Sequence, residues 1–137
     1  MKIKVIIHTI IMNQNRILLL KRADSVSNLP GYWDIPGGSL EDAEDPKLGA
    51  IREVLEETGI NIDKPNLFFS FSNADKPKDV QYITLVHKAS TTNTEVVLAP
   101  KEHQEYLWIE TAKVLGFIKT HKVPDYLETA IKGLIEK

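Results

Sequence analysis

Three glutamates, Glu53, Glu56 and Glu57, stand at i, i+3 and i+4 in the stretch Arg52-Glu53-Val54-Leu55-Glu56-Glu57-Thr58-Gly59-Ile60. On an α-helix that spacing projects all three carboxylates from one face. Like charges so placed oppose one another by about 0.2–0.5 kcal/mol per pair, so a surface built for stability alone would avoid them. A hard divalent cation removes the repulsion, and Mg²⁺ takes one or two carboxylates together with waters and substrate phosphates. The spacing therefore suggests a magnesium platform; the plainer alternative is a solvated acidic face.

The surrounding elements must position that face. Pro46–Thr58 reads as its helix, with Asp45 as N-cap, Pro46 in the first turn and Gly59 as the C-terminal stop. Leu48, Ile51 and Leu55 recur at helical spacing and are expected to form its buried stripe. Lys2–Met12 and Arg16–Leu20 read as two antiparallel strands around the polar trio Asn13-Gln14-Asn15. Ala23–Gly31 reads as a loop, and the short apolar piece Tyr32–Ile35 leads into Pro36-Gly37-Gly38, where the backbone must turn or approach something closely. Further strands are expected at Leu67–Phe71, Val80–Lys88, Glu95–Leu98 and Glu105–Ile109, and a final amphipathic helix over Tyr126–Ile135. Strands, a helix, strands and a last helix give an α+β or α/β/α layered domain.

The bulk numbers bound the function. With 137 residues the chain is one domain's worth, and 42% apolar and 26% charged residues are ordinary for a globular protein. A formal charge of −2 argues against a broad nucleic-acid-binding surface, so no stable nucleic-acid binding is expected. It is compatible with a small phosphorylated ligand held by a metal or a few local cations. The absence of cysteine excludes disulfides, thiolate zinc sites and cysteine nucleophiles. His8 and Thr9 interrupt the first apolar run and no small-residue cleavage site follows, so it does not read as a signal peptide. No stretch reaches membrane-spanning length, and the expected setting is soluble and cytoplasmic.

The full pattern around the glutamates is Gly38, five residues, Glu44, seven residues, then Arg52-Glu53-Val54-x-Glu56-Glu57-x-Gly59-Ile60. It matches the Nudix box at every specified position. Seven fixed residues at about one in fifteen each make a chance match at a given start rarer than about one in 10⁸. The chain thus resembles bacterial, MutT-like members of the Nudix superfamily. The lead-in Gly31-Tyr32-Trp33-Asp34-Ile35-Pro36-Gly37-Gly38, the hairpin end Leu18-Leu19-Leu20-Lys21-Arg22 and the segment ending in Trp108-Ile109 are also similar. Length and element order fit one Nudix domain over residues 1–137, with the box at 38–60. One departure is Ala43, where family members commonly have glycine, and a slightly altered loop is expected there.

The resemblance implies a Nudix fold, an α/β/α sandwich on a mixed sheet with a loop-helix-loop motif that binds Mg²⁺ or Mn²⁺. Carried over by position, Glu56 and Glu57 are direct ligands, Glu53 is a ligand or orients the attacking water, and the Gly37 carbonyl completes the set. Glu44 and Arg52 pair to hold the loop on the helix, with Gly38 and Gly59 structural at the ends of the motif. The loop Lys101-Glu102-His103-Gln104-Glu105 often supplies another acidic residue, which makes Glu102, then Glu105, candidate bases beside Glu53. Arg22 occupies a place where relatives often put a substrate-contacting cation. His103 is expected at the surface, with aid to its neighbouring glutamate as the alternative. His8, His87 and His121 form no ligand set, and Trp33 and Trp108 read as core or wall residues.

The implied reaction is hydrolysis of a diphosphate linkage in a nucleoside diphosphate linked to a moiety X, giving a nucleoside monophosphate and phosphorylated X. A catalytically silent nucleotide-binding module is the alternative, although such modules usually have damaged boxes. Isopentenyl diphosphate isomerase shares the fold but commonly uses a cysteine, which is absent here. The implied partner is a small nucleotide-like diphosphate; a homodimer is compatible with the family, and specificity lies in loops outside the box.

Overall fold

Two adjacent runs of apolar residues determine the layering. Ile10-Ile11 and Ile17-Leu18-Leu19-Leu20 are fully buried, and successive strand side chains point to opposite faces. Both faces of these strands must therefore be covered. A computed structural model describes residues 1–136 and shows how this is done. Ten elements follow in order: β1 (Lys2–Asn13), β2 (Arg16–Arg22), β3 (Trp33–Asp34), β4 (Gly37–Ser39), α1 (Pro46–Thr58), β5 (Asn66–Asp75), β6 (Val80–Ser90), β7 (His103–Glu110), α2 (Thr111–Thr120) and α3 (Asp125–Ile135).

One face of the sheet sends Ile10, Ile17 and Leu19 into a core with Val114 and Ile118 of α2 and Leu127 and Ile131 of α3. The other sends Ile11, Leu18 and Leu20 against Val54 of α1 and Ile60 and Ile62 beyond it. The result is the expected α/β/α arrangement. Each fully buried Ile or Leu contributes about 1.5–3 kcal/mol relative to exposure.

The sheet is mixed. β1 runs parallel to β6 from Lys2↔Val80 to Met12↔Ser90. Its other edge is divided between β4, at Ile6–His8, and β2, at Met12–Asn13. Beyond the hairpin turn, where Gln14 has φ 56°, β2 turns its edges to β7 and to β3. β5 is antiparallel to β6. The divided edge of β1 leaves residues 33–39 between two halves of the sheet, with the Thr9 amide donating to the Pro36 carbonyl at 2.9 Å.

Four sequence expectations change. The buried face of α1 consists of Gly49, Ala50, Val54, Glu57 and Thr58, while Leu48 and Leu55 are 61% and 48% exposed. Small residues let the helix sit close on the sheet, which turns the larger leucines outward. Glu95–Leu98 is not a strand: Val96 and Leu98 pack on the α1-side core, and the Val97 amide donates to the Thr58 carbonyl at the end of α1. The alternating pattern is satisfied by packing, without a ladder. Helix α2 was not anticipated, although Val114 and Ile118 carry its buried positions; Gly116 in its middle weakens the helical signal. Finally, β3 and β4 are too short to show a period.

Trp33 packs on the first core, edge-on to Phe117. Trp108 packs on the second, and its indole N–H donates to the Thr94 carbonyl. Both serve as walls. No described helix is long and apolar enough to cross a membrane.

Ala43 has φ 61°, a left-handed conformation that costs an L-residue about 1–2 kcal/mol. Its loop accordingly has the backbone a glycine favours, with alanine strained into it. Ala43→Gly regains that strain less the added unfolded-state entropy, about 0.4–1 kcal/mol. Thermal unfolding should show Tm raised by about 1–4 °C; a lower Tm would place the strain elsewhere.

Candidate functional site

Helix α1 enters with the Asp45 carboxylate accepting from the Lys47 amide and ends where the Gly59 amide donates to the Leu55 carbonyl at φ 74°. Between these ends Arg52 collects the loop. Its Nε and Nη2 donate to the two Glu44 carboxylate oxygens at 2.7 and 2.9 Å, a bidentate geometry of the stronger kind. Nη2 also donates to the Ser39 carbonyl at 3.1 Å, and Nη1 to Glu53 Oε1 at 2.9 Å and Glu56 Oε2 at 3.3 Å. Glu41 Oε1 lies 3.2 Å from Nε. Glu44, Glu53 and Glu56 thus share one cation, and loop 38–44 is fastened to the helix.

Glu57 has no such partner. It is 4% exposed, and its Oε1 accepts from the Gly37 amide at 2.7 Å. Burial, above all, pushes its carboxyl up to about 9, with Glu53 and Glu102 adding like-charge repulsion. Burial also raises Glu53, against the hydrogen bond from Arg52. Glu53 leans over Gly38 so closely that a Cβ on that residue would stand 2.6 Å from its carboxylate. Only glycine fits there without moving Glu53.

Glu102 and His103 reach this centre from the opposite side. The Ala23 amide donates to the Glu102 carbonyl, and the amides of Glu102 and His103 both donate to the Ala99 carbonyl. A bulge between Lys21 and Arg22 then brings Arg22 opposite His103. Ligand atoms of Glu57, Glu102 and His103 all lie within 4.8 Å of one another. His103 is buried at 4% exposure, not at the surface as expected, because it begins β7 beneath this junction. Its Nδ1 lies 3.8 Å from Glu57 Oε2 and has no hydrogen-bond partner. Burial, then the Arg22 charge, lowers His103 to about 4, so it is neutral near pH 7. Glu105 instead pairs with Lys21 at 3.4 Å. Arg22 donates from Nε to the Asn28 carbonyl at 2.7 Å.

A buried, repulsively raised carboxylate beside an exposed one and an unpartnered imidazole fits a divalent cation, which would supply the missing positive charge. Glu57 and Glu102 are the oxygen donors placed for it. Glu53, one turn earlier on α1, and Glu56, the residue just before Glu57, are held by Arg52.

A pair absent from the sequence reading lies alongside. Tyr126 Oη donates to Asp34 Oδ1 at 2.6 Å, and the Ile35 amide donates to the same oxygen. Burial raises both groups, with His8 opposing it at Asp34. An aspartate within the apolar piece Trp33-Asp34-Ile35 was the available signal; nothing in the sequence marks Tyr126 as its partner. Tyr126 also lines an open pocket of about 1200 Å³, together with Asn28, Tyr32, Phe71 and Asp125. None of the box glutamates lines that pocket, so Tyr126 and Asp34 are the wall between it and the acidic centre.

The chain belongs to the Nudix family: the model of the NUDIX domain matches residues 2–128. It is 31% identical to the nucleoside triphosphatase NudI of Escherichia coli over 126 residues, covering 85% of this chain and 89% of that one. A MutT-like protein of Streptomyces ambofaciens is 37% identical over 67 residues, 49% of this chain but only 40% of that protein's length. The crystal structure of a MutT protein from Methanosarcina mazei superposes with a TM-score of 0.83 and 28% identity, over 98% of this chain and 94% of that one.

Two outcomes follow from these charges. The folded Glu57 carboxyl titrates near 9 against 4.5 for the free group, so the native state binds the extra proton between those values. Without metal, stability should fall as pH rises through that window, by up to about 1.4 kcal/mol per unit. Chemical denaturation in chelator should show a smaller slope for Glu57→Gln; an unchanged slope would exonerate this carboxylate. Glu44 behaves oppositely, because the Arg52 hydrogen bonds hold it down at about 2. Its contribution is present above pH 4.5 and is lost as pH falls toward 2. Melts across that range should show Glu44→Gln less stable at pH 7 and less sensitive to acid, whereas parallel curves would remove the pair from the balance.

Proposed function

We propose that this chain is a divalent-cation-dependent hydrolase that cleaves the diphosphate linkage of a nucleotide or nucleotide-like compound. The products are a nucleoside monophosphate and the phosphorylated remainder. The observation that carries the reading is Glu57, a buried carboxylate without a counter-charge, held beside Glu102 and separated from an open pocket by Asp34 and Tyr126. Likeness to a relative named a nucleoside triphosphatase supports testing nucleoside triphosphates first. Residues 1–137 act in this reading as one domain, with the box at 38–60.

Glu57 would be the principal ligand for Mg²⁺ or Mn²⁺ beside Glu102, with Glu53, Glu56 and the Gly37 carbonyl as the box's further donors. When bound, such a cation neutralises diphosphate oxygens and lowers the pKa of a coordinated water. The residues of the chain do the rest. Arg22, fixed by Asn28 at the pocket rim, meets the negative phosphate chain. Glu102, exposed beside Glu57, accepts the proton of the attacking water. As the water oxygen bonds to phosphorus, the bridging P–O bond breaks and its electron pair leaves with the second phosphate. Arg52 and Glu44 take no part in the chemistry and hold Glu53 in place.

The pocket suits the nucleoside part. Tyr32, Phe71 and Tyr82 offer ring faces, while Asn28, Asn73 and Asp125 offer hydrogen-bonding groups. Phe71 stacks on Tyr126 with ring centroids 5.1 Å apart, which keeps that wall flat. The lining thus offers ring faces for stacking together with hydrogen-bonding groups for the edges of a heterocycle.

Product release should be followed with canonical and oxidised nucleoside triphosphates, ADP-ribose, diadenosine polyphosphates and nucleotide sugars in Mg²⁺, with Glu57→Gln alongside. Metal-dependent cleavage of one class is expected, with Glu57→Gln slower by about 10²–10⁴-fold or more. Near-normal turnover by that variant would remove Glu57 from the chemistry. No cleavage of any member by folded protein would favour a silent nucleotide-binding module.

A further inference from the structure

We propose that the metal centre of this chain includes an imidazole ligand, His103 Nδ1, together with Glu57 and Glu102, and that it therefore favours first-row transition cations over Mg²⁺. The inference rests on the hydrolase reading for the presence of a cation, and on the geometry around His103 for its ligand.

His103 is one of the most enclosed polar residues of the protein, at 4% exposure, and its Nδ1 has no hydrogen-bond partner. Buried polar atoms are almost always satisfied, and an exception calls for an explanation. Glu57 Oε2 lies across from it at 3.8 Å, too far for a hydrogen bond. That separation does suit two ligands of one cation, since metal–ligand bonds of about 2.0–2.3 Å place neighbouring donors roughly 3–4 Å apart. Glu102, the third member of the group, is exposed and able to adjust.

The backbone that carries the ring is held on both sides. The His103 amide is bound to the Ala99 carbonyl. Its strand is registered against Arg22 immediately after the bulge, and the Gln104 side chain donates to the Arg22 carbonyl at 3.0 Å. The imidazole is thus presented to Glu57 before any ligand arrives. Such a donor set differs in kind from the box carboxylates. Mg²⁺ is best held by oxygen, whereas imidazole nitrogen raises affinity along the series from Mn²⁺ to Ni²⁺ and for Zn²⁺.

Mn²⁺ is the probe, because its unpaired electrons report directly bound nitrogen. The full chain is loaded with Mn²⁺ alone, and pulsed electron paramagnetic resonance is recorded for ¹⁴N coupling. The native protein is expected to show the coupling of a directly bound imidazole, a reading that requires no variant. In His103→Gln the coupling should vanish, with Mn²⁺ affinity lowered about tenfold or more and Mg²⁺ affinity lowered far less. Bound Mn²⁺ without ¹⁴N coupling, or coupling that persists in His103→Gln, overturns the proposal while leaving the hydrolase reading intact. No bound Mn²⁺ at millimolar metal overturns the proposal as well. Joined to absent turnover on every nucleotide tested, it overturns the hydrolase reading too.

Discussion

One guanidinium sets the charge balance of the acidic centre. Arg52 satisfies Glu44 with two hydrogen bonds and Glu53 and Glu56 with one end of the same group. These carboxylates can therefore crowd together without strong mutual repulsion. Glu57, directly after Glu56 on α1, receives only the Gly37 amide, and the cost of burying a charge falls on it. The arrangement concentrates an unmet demand for positive charge at one carboxylate. A cation gains most at such a point, because it relieves repulsion and replaces lost hydration together.

The sheet supplies the opening in which this happens. A strand has two edges, and β1 gives one entirely to β6. The other must serve β4 near its start and β2 near its end. Residues 33–39 pass through the gap, which brings Asp34 within reach of α3 on one face and the Gly37 amide within reach of α1 on the other. Acidic centre and pocket thus lie on opposite sides of a single connecting segment. Any shift of that segment moves both.

The helix and its glutamates were legible because their signals are local: a cap, a proline, a terminal glycine and carboxylates at helical spacing. The two buried faces of β1 and β2 were legible too, since consecutive Ile10-Ile11 and Leu18-Leu19-Leu20 admit no solvent side. What failed depended on packing distance or on distant partners. Leu48 and Leu55 fit a helical stripe, yet Gly49 and Ala50 decide the contact face, because close approach outweighs side-chain hydropathy. Val96 and Leu98 alternate like a strand, yet the chain there bonds to the end of α1. The burial of His103 and the pairing of Asp34 with Tyr126 join residues far apart in the sequence, with no periodicity linking them. Ala43 was marked only by comparison with relatives, and the backbone supplies its physical meaning.

The parallel pairing of β1 with β6 has a consequence for how the chain is made. Lys2 finds its partner only at Val80. At ribosomal speeds of about 5–20 residues per second, roughly 4–16 s pass between the synthesis of the two. During that interval the β-branched segment Val5–Met12 has its hairpin partner but lacks the neighbour that covers most of its length. Its exposed edge is then a template for pairing with other nascent chains. The second half of the sheet thus acts as a shield that arrives late, and the yield of folded protein depends on how soon Val80–Ser90 emerges.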